Sequence, residues 1–227
     1  MSPAASDVAE NLARVRERID QAARRAGRLP ETVTLLAVTK GLGPDVVQTL
    51  WRLGLHDFGE SRVQEALPKI AAAPAARWHL IGHLQENKIN KVLPWVCMIQ
   101  SVDSYALAQA ISARATKQSR TVPILLEVKT SAEPAKHGFD PESAPEAYAA
   151  VAELDGVSLQ GLMTIGPLTD DRARLRRSFR TLRQLFERLQ AFQPPPRIVS
   201  MGMSADLELA IEEGSTMVRV GRALVGA

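Results

Sequence analysis

Two short segments hold residue types that could do chemistry together. Lys40 follows the apolar run Val33–Val38 and precedes Gly41. Alternation along a strand puts Lys40 on the side of Leu36 and Val38. An amine held there and partly desolvated gives up its proton more readily, and its neutral form attacks aldehydes to form a Schiff base. The second segment is Ser200-Met201-Gly202-Met203-Ser204, leaving one apolar run and entering a helix predicted from Ala205. Gly202 allows close approach of backbone N–H groups, the hydroxyls of Ser200 and Ser204 add donors, and a helix start favours an anion. Gly221 follows the next apolar run and would face the same space. Taken separately, Lys40 reads as a solvated strand-end lysine, and the serine loop equally as an ordinary capped helix. Together, a lysine across a barrel mouth from a phosphate cradle suits a phosphorylated aldehyde, cofactor or sugar.

Other signals point away from chemistry. His79 and His83 have the spacing of a metal pair, but Gly82 interrupts them and a strand-then-turn reading gives them no shared helical face. No metal site is expected. Residues 172–188 contain seven arginines, yet Leu175, Phe179, Leu182, Phe186 and Leu189 form a continuous apolar stripe. The arginines then occupy a solvated outer face rather than a nucleic-acid patch. Trp51, Trp78 and Trp95 read as packing residues.

The elements that must position these residues alternate regularly. Val8, Leu12, Val15 and Ile19 mark one face of a first helix, with Asp7 and Glu10 as its cap pair and Gly27 as its end. Strands are predicted at 33–38, 55–58, 78–81, 96–99, 122–128, 157–163, 197–201 and 217–220. Helices fall at 45–53, 62–72 (with Val63, Leu67 and Ile70), 105–117, 145–154, 172–192 and 205–213. Eight strand–helix repeats predict a parallel sheet closed into a (β/α)₈ TIM barrel, with an open doubly wound sheet as the alternative. No linker divides the chain, so residues 1–227 read as one domain, with residues 1–30 as an added N-terminal helix.

Composition bounds the function. The 227 residues carry 28 Lys+Arg and 25 Asp+Glu, a net charge of +3. That surplus is too small to imply nucleic acid without a local patch. Hydrophobic residues make up 45% and charged residues 23%, an ordinary globular balance that excludes disorder. Cys97 is the one cysteine, which excludes an intrachain disulfide or a cysteine-based metal cluster. Neither a secretory signal nor a membrane span is visible, so a cytoplasmic location is expected. A monomer is expected too, since no exposed apolar stripe is evident.

The chain resembles the pyridoxal phosphate homeostasis proteins (the YggS/PROSC type), whose fold is like the N-terminal barrel of alanine racemase. The resemblance runs through Leu35–Lys40, Phe58–Glu65, Trp78–Lys88, Gly161–Met163, Ser200–Asp206 and Gly214–Gly221. It implies that Lys40 holds pyridoxal 5′-phosphate (PLP) as a Schiff base. It further implies that Ser200, Gly202, Met203, Ser204, Gly221 and Arg222 hold the phosphate, and that Arg219 faces the pyridine nitrogen. Met217, Arg219 and Gly221 alternate onto one side of the last strand, which agrees. Lys136 matches a lysine near the family pocket. Ser61 stands where the family usually has Asn, which puts one contact at the pocket edge in question.

The resemblance implies storage, buffering or delivery of PLP, including to PLP-dependent apoenzymes, rather than turnover. An arginine beside the ring nitrogen only donates, so it opposes ring protonation and weakens the electron sink. The second base that alanine racemase takes from another domain has no counterpart here, because Tyr105 and Tyr148 lie in predicted outer helices. A small amino-acid racemase is the alternative, and a Schiff-base aldolase on a phosphorylated sugar a more distant one.

Overall fold

Apolar strands of three to seven residues bury both faces when they pair in parallel under helices. In the computed structural model, which describes residues 4–131 and 137–226, they do so in a closed barrel. The strands are β1 (Thr34–Val38), β2 (Asp57–Glu60), β3 (Arg77–Leu80), β4 (Met98–Val102), β5 (Val122–Glu127), β6 (Val157–Met163), β7 (Ile198–Ser200) and β8 (Met217–Val220). They run in chain order around the barrel and β8 closes against β1, pairing Leu36 with Arg219 and Ala37 with Val220. The helices are α1 (Ala5–Arg25), α2 (Pro44–Arg52), α3 (Val63–Ala72), α4 (Ile89–Val92), α5 (Tyr105–Lys117), α6 (Ala144–Ala152), α7 (Arg172–Arg188), α8 (Leu207–Glu212) and α9 (Arg222–Val225).

The N-terminal helix is an outer buttress. Val8, Leu12, Val15, Ile19, Ala22 and Ala23 are buried along one stripe of α1, which packs on α2, α8 and α9. Each fully buried aliphatic side chain there contributes roughly 1.5–3 kcal/mol. Polar links lock the placement. Arg18 donates to the Ser204 carbonyl at 2.9 Å and pairs with Glu208, and Arg28 donates to the Ser215 carbonyl at 2.7 Å.

Three details differ from the spacing-based reading. Asp7 lies inside the first turn of α1 without capping it, because the chain is already helical from Ala5. On α3 the buried residues are Val63, Ala66 and Lys69, while Leu67 is exposed. The helix turns a different face inward because Lys69 reaches a buried carboxylate at the barrel rim. The helix after β7 starts at Leu207 rather than Ala205 and is only six residues long. On α7, Leu175, Phe179, Leu182 and Phe186 are buried as expected. Two of its arginines, Arg176 and Arg180, pair outward with Glu213.

The backbones of β6 and β7 leave no room for a side chain at Gly161. Gly161 has φ +153°, and a Cβ there would lie 2.0 Å from the Ile198 carbonyl oxygen. That atom is backbone and cannot step aside. Gly161→Ala is expected to lower the unfolding free energy by about 3 kcal/mol, measured by urea denaturation. A loss below about 0.5 kcal/mol would show that the two strands can separate at no cost.

Candidate functional site

The barrel interior is polar at its centre. Arg219, on β8, is 5% exposed and points into the barrel beside Leu36 of β1. A buried guanidinium must find acceptors. Arg219 donates to Ser200 Oγ at 2.7 Å and to the Thr164 carbonyl at 2.7 Å. Ser200 Oγ donates to Gln100 Oε1 at 2.7 Å. The Gln100 amide donates in turn to His79 Nδ1 at 3.0 Å. His79 Nε2 then donates to Asp57 Oδ1 at 3.2 Å, and Arg77 grips the same carboxylate at 2.7 and 2.6 Å. This orientation of the amide and this imidazole tautomer satisfy every member of the chain. One hydrogen-bonded spine therefore runs from the mouth to the amino end of the barrel.

Burial pulls the Arg219 guanidinium down to about 10, against the opposing pull of Glu127 and Asp206. It is a cation at neutral pH. At the other end, burial alone would raise the Asp57 carboxyl, but hydrogen bonds from His79 and Arg77 outweigh it and hold the group at about 2.

Lys40 stands in the turn after β1, and both its neighbours are fastened to surrounding elements. Lys69 of α3 donates to the Thr39 carbonyl at 2.7 Å and to Glu60 Oε1 at 2.5 Å. The Thr39 hydroxyl donates to the same Glu60 oxygen. Gly41 N–H donates to Glu65 Oε2 at 3.3 Å and adopts φ +74°, which turns the chain sharply after Lys40. Glu60 is fully buried, and its Oε2 has no hydrogen-bond partner among the described residues. Lys40 itself is exposed, so the expected partial desolvation is not present in this state.

The Gly221 loop, not the serine loop, stands next to the strand that ends before Lys40, because β8 closes on β1; the serine loop is one strand further round, after β7. A Cβ on Gly221 would come within 3.1–3.3 Å of the Val38 carbonyl and side chain. The loops after β7 and β8 are joined where Ala223 N–H donates to Ser204 Oγ at 3.3 Å. Gly202 is buried, with φ +93°, and a Cβ there would meet Ala210 at 2.5 Å. Met203 is exposed, but its N–H donates to Asp206 Oδ1 at 2.5 Å. Arg222 is exposed at the start of α9. Ser200 faces inward, its hydroxyl donating to Gln100 and accepting from Arg219. Lys136 lies outside the described residues. Ser61 presses its backbone on Gly82, where a Cβ would sit 2.4 Å from the Ser61 carbonyl oxygen.

Spacing gave no pointer to Gln100, Thr164, Lys69 or Asp206. The available signal was a polar residue inside an otherwise apolar run, as with Gln100 in Met98–Val102 or Glu60 at the end of β2. His79 is in the spine and His83 is on the rim, so the two form no metal pair. Tyr148 is buried in α6, donates to the Pro194 carbonyl at 3.0 Å, and is pushed up to about 12 by burial. It offers no base at the mouth.

Two predictions follow from the spine. Gln100→Leu leaves His79 Nδ1 and the Ser200 hydroxyl unpaired, and should cost about 2–4 kcal/mol in chemical denaturation. As pH falls from about 4 toward 2, the unfolded Asp57 takes up a proton while the folded one stays ionised. Stability should therefore drop over that window by on the order of 1–2 kcal/mol. Comparison of acid denaturation with Asp57→Asn measures this, since the variant should lack that component of the slope.

With this geometry in view, the relatives are informative. The family model for the alanine racemase N-terminal domain matches residues 11–227. A pyridoxal phosphate homeostasis protein from Pseudomonas aeruginosa is 42% identical over 224 residues, covering 98% of this chain and 96% of the relative. A solved protein from Bifidobacterium adolescentis superposes with a TM-score of 0.92 at 42% identity, covering 97% of this chain and 95% of that one. PipY of Synechococcus elongatus, solved with PLP bound, superposes at 0.83 with 35% identity, covering 96% of this chain and all of PipY. The chain belongs to the pyridoxal phosphate homeostasis proteins, a family built on the alanine racemase N-terminal barrel.

Proposed function

We propose that this chain binds PLP at the carboxyl end of its barrel and holds it for storage and delivery. The observation that carries this reading is the clustering of an exposed lysine, a buried arginine and two joined strand-end loops on the neighbouring strands β1, β8 and β7. The residues fit the group. Gly221 and Gly59 let their strands lie close to β1, where a Cβ would crowd Val38 at 3.1–3.3 Å or meet the Leu36 side chain at 2.4 Å. Arg219 supplies a fixed cation, and Lys40 a solvent-accessible amine. Bound PLP supplies an aldehyde that condenses reversibly with a primary amine, losing water.

Each residue then has a task. Lys40 attaches the cofactor, and the anchors on Thr39 and Gly41 fix where its backbone stands. The Gly202–Ser204 and Gly221–Arg222 turns would hold the phosphate with backbone and hydroxyl donors. Ser200 contributes from below by orienting Arg219. Arg219 would be the residue held toward the pyridine nitrogen and, being a donor only, would oppose its protonation. An unprotonated ring is a poor electron sink, which fits a carrier better than a racemase. PLP-dependent apoenzymes are the proposed recipients. The Cys97 thiol, pushed up to about 12 by burial and unpaired, fits a reducing cytoplasm. No helix among the described residues is long and apolar enough to cross a membrane.

Protein reconstituted with PLP should absorb in the visible, and Lys40→Ala should abolish that band. A spectrum unchanged by the substitution would reject Lys40 as the attachment point. Transfer to a PLP-dependent apoenzyme, with no racemisation of amino acids, is the expected activity. Rapid racemisation dependent on Lys40 would overturn the carrier reading.

A further inference from the structure

On the opposite side of the barrel mouth, three consecutive strand-end loops bring together side chains with no part in the site above. His83 follows β3, Asp103 follows β4, and His137 lies in the loop after β5, two residues before Phe139 bridges back to Val128. His83 Nδ1 lies 2.8 Å from Asp103 Oδ2, and His137 Nδ1 lies 3.9 Å from the same oxygen. The two imidazoles stack, with centroids 4.4 Å apart and planes 18° apart. One donor atom from each residue falls within 4.8 Å of the other two.

This is not the arrangement of an ordinary surface ion pair. The Asp103 side chain is 8% exposed, so its charge is mostly withdrawn from water, whereas the imidazoles are 47% and 63% exposed and open to a ligand from outside. Two stacked rings cannot both be protonated without repelling each other. A single dication shared by the three side chains matches the carboxylate and uses the nitrogen lone pairs instead. We propose that His83, Asp103 and His137 form a binding site for a borderline divalent transition metal, Zn²⁺ foremost, at the rim of the barrel.

The donor set sets the class of ion. Two imidazoles and one carboxylate suit Zn²⁺ and its neighbours, whereas Mg²⁺ and Ca²⁺ require mostly oxygen ligands. Tetrahedral bonds of about 2.0–2.1 Å place donor atoms about 3.4 Å apart, so small side-chain rotations close the present spacing. Three protein ligands leave a fourth position for water or an external donor. The bound ion would tie the β5 loop at His137 to the β3 and β4 rims. Any imidazolium proton leaves for solvent on binding.

The test is calorimetric titration of Zn²⁺ alone into chelator-stripped full-length protein, with Co²⁺ absorption as a second readout. One ion per chain should bind, Co²⁺ should show the visible bands of a tetrahedral site, and Mg²⁺ should not compete. His83→Ala, His137→Gln and Asp103→Asn should each weaken binding by at least about tenfold, and the double histidine variant should abolish it. His56→Ala, at the amino end of the barrel, should bind as the parent does. Lys40→Ala should as well, which separates this site from the cofactor reading. Zn²⁺ should also raise the melting midpoint of the parent chain but not of the double variant. Failure to bind one ion per chain, or binding unchanged in the double histidine variant, would overturn the proposal.

Discussion

A permanent cation sits inside this barrel, and much of the interior is arranged to make that tolerable. Arg219 is withdrawn from water on all sides, and an unsatisfied guanidinium there would cost several kcal/mol. Its charge is answered by the Ser200 hydroxyl, the Thr164 carbonyl and the fields of Glu127 and Asp206. Ser200 cannot accept from Arg219 and leave its own proton unpaired, so Gln100 must be present. Gln100 then requires an acceptor, which His79 provides, and His79 requires Asp57. The requirement passes from residue to residue until it ends on a carboxylate clamped by Arg77. The barrel thus carries one polar column from one end to the other.

Barrel closure gives the mouth its layout. Because β8 pairs with β1, residues near opposite ends of the chain become neighbours, and Lys40 stands beside the Gly221 loop. Thr39, Lys69 and Glu60 anchor the backbone before the lysine, and Glu65 holds the backbone after it. Among the described residues nothing binds the exposed lysine side chain, while its base is fixed. On the outside, Arg18 of α1 fastens the Ser204 carbonyl, so the N-terminal helix supports one of the two loops at the site.

Much of the architecture was legible in the residues. All eight strands lie where β-branched and apolar runs were found, displaced by two residues or fewer at the start and three at the end, because runs of that kind bury well under helices. The apolar stripes of α1 and α7 match their buried faces, since side-chain direction follows a fixed helical period. The stripe of α3 does not, because Lys69 answers a buried carboxylate that no periodicity reveals. The same limit explains Ser200. Its residue type and place before Gly202 suit a donor to an anion, yet the strand's inward face directs the hydroxyl to Gln100.

From the amino-acid order alone came the barrel, the lysine after its first strand, the glycine-containing turns after its last two and the family to which they belong. These follow from local rules of period, turn chemistry and motif, which need no partner. Only the folded chain decided that the lysine and the last loop are adjacent, that Arg219 and Asp57 are joined through four intervening contacts, and that His83 meets His137 rather than His79. Those facts depend on which residues closure brings together across distances of 20 to 180 positions, and hydrogen bonds and charges act through space.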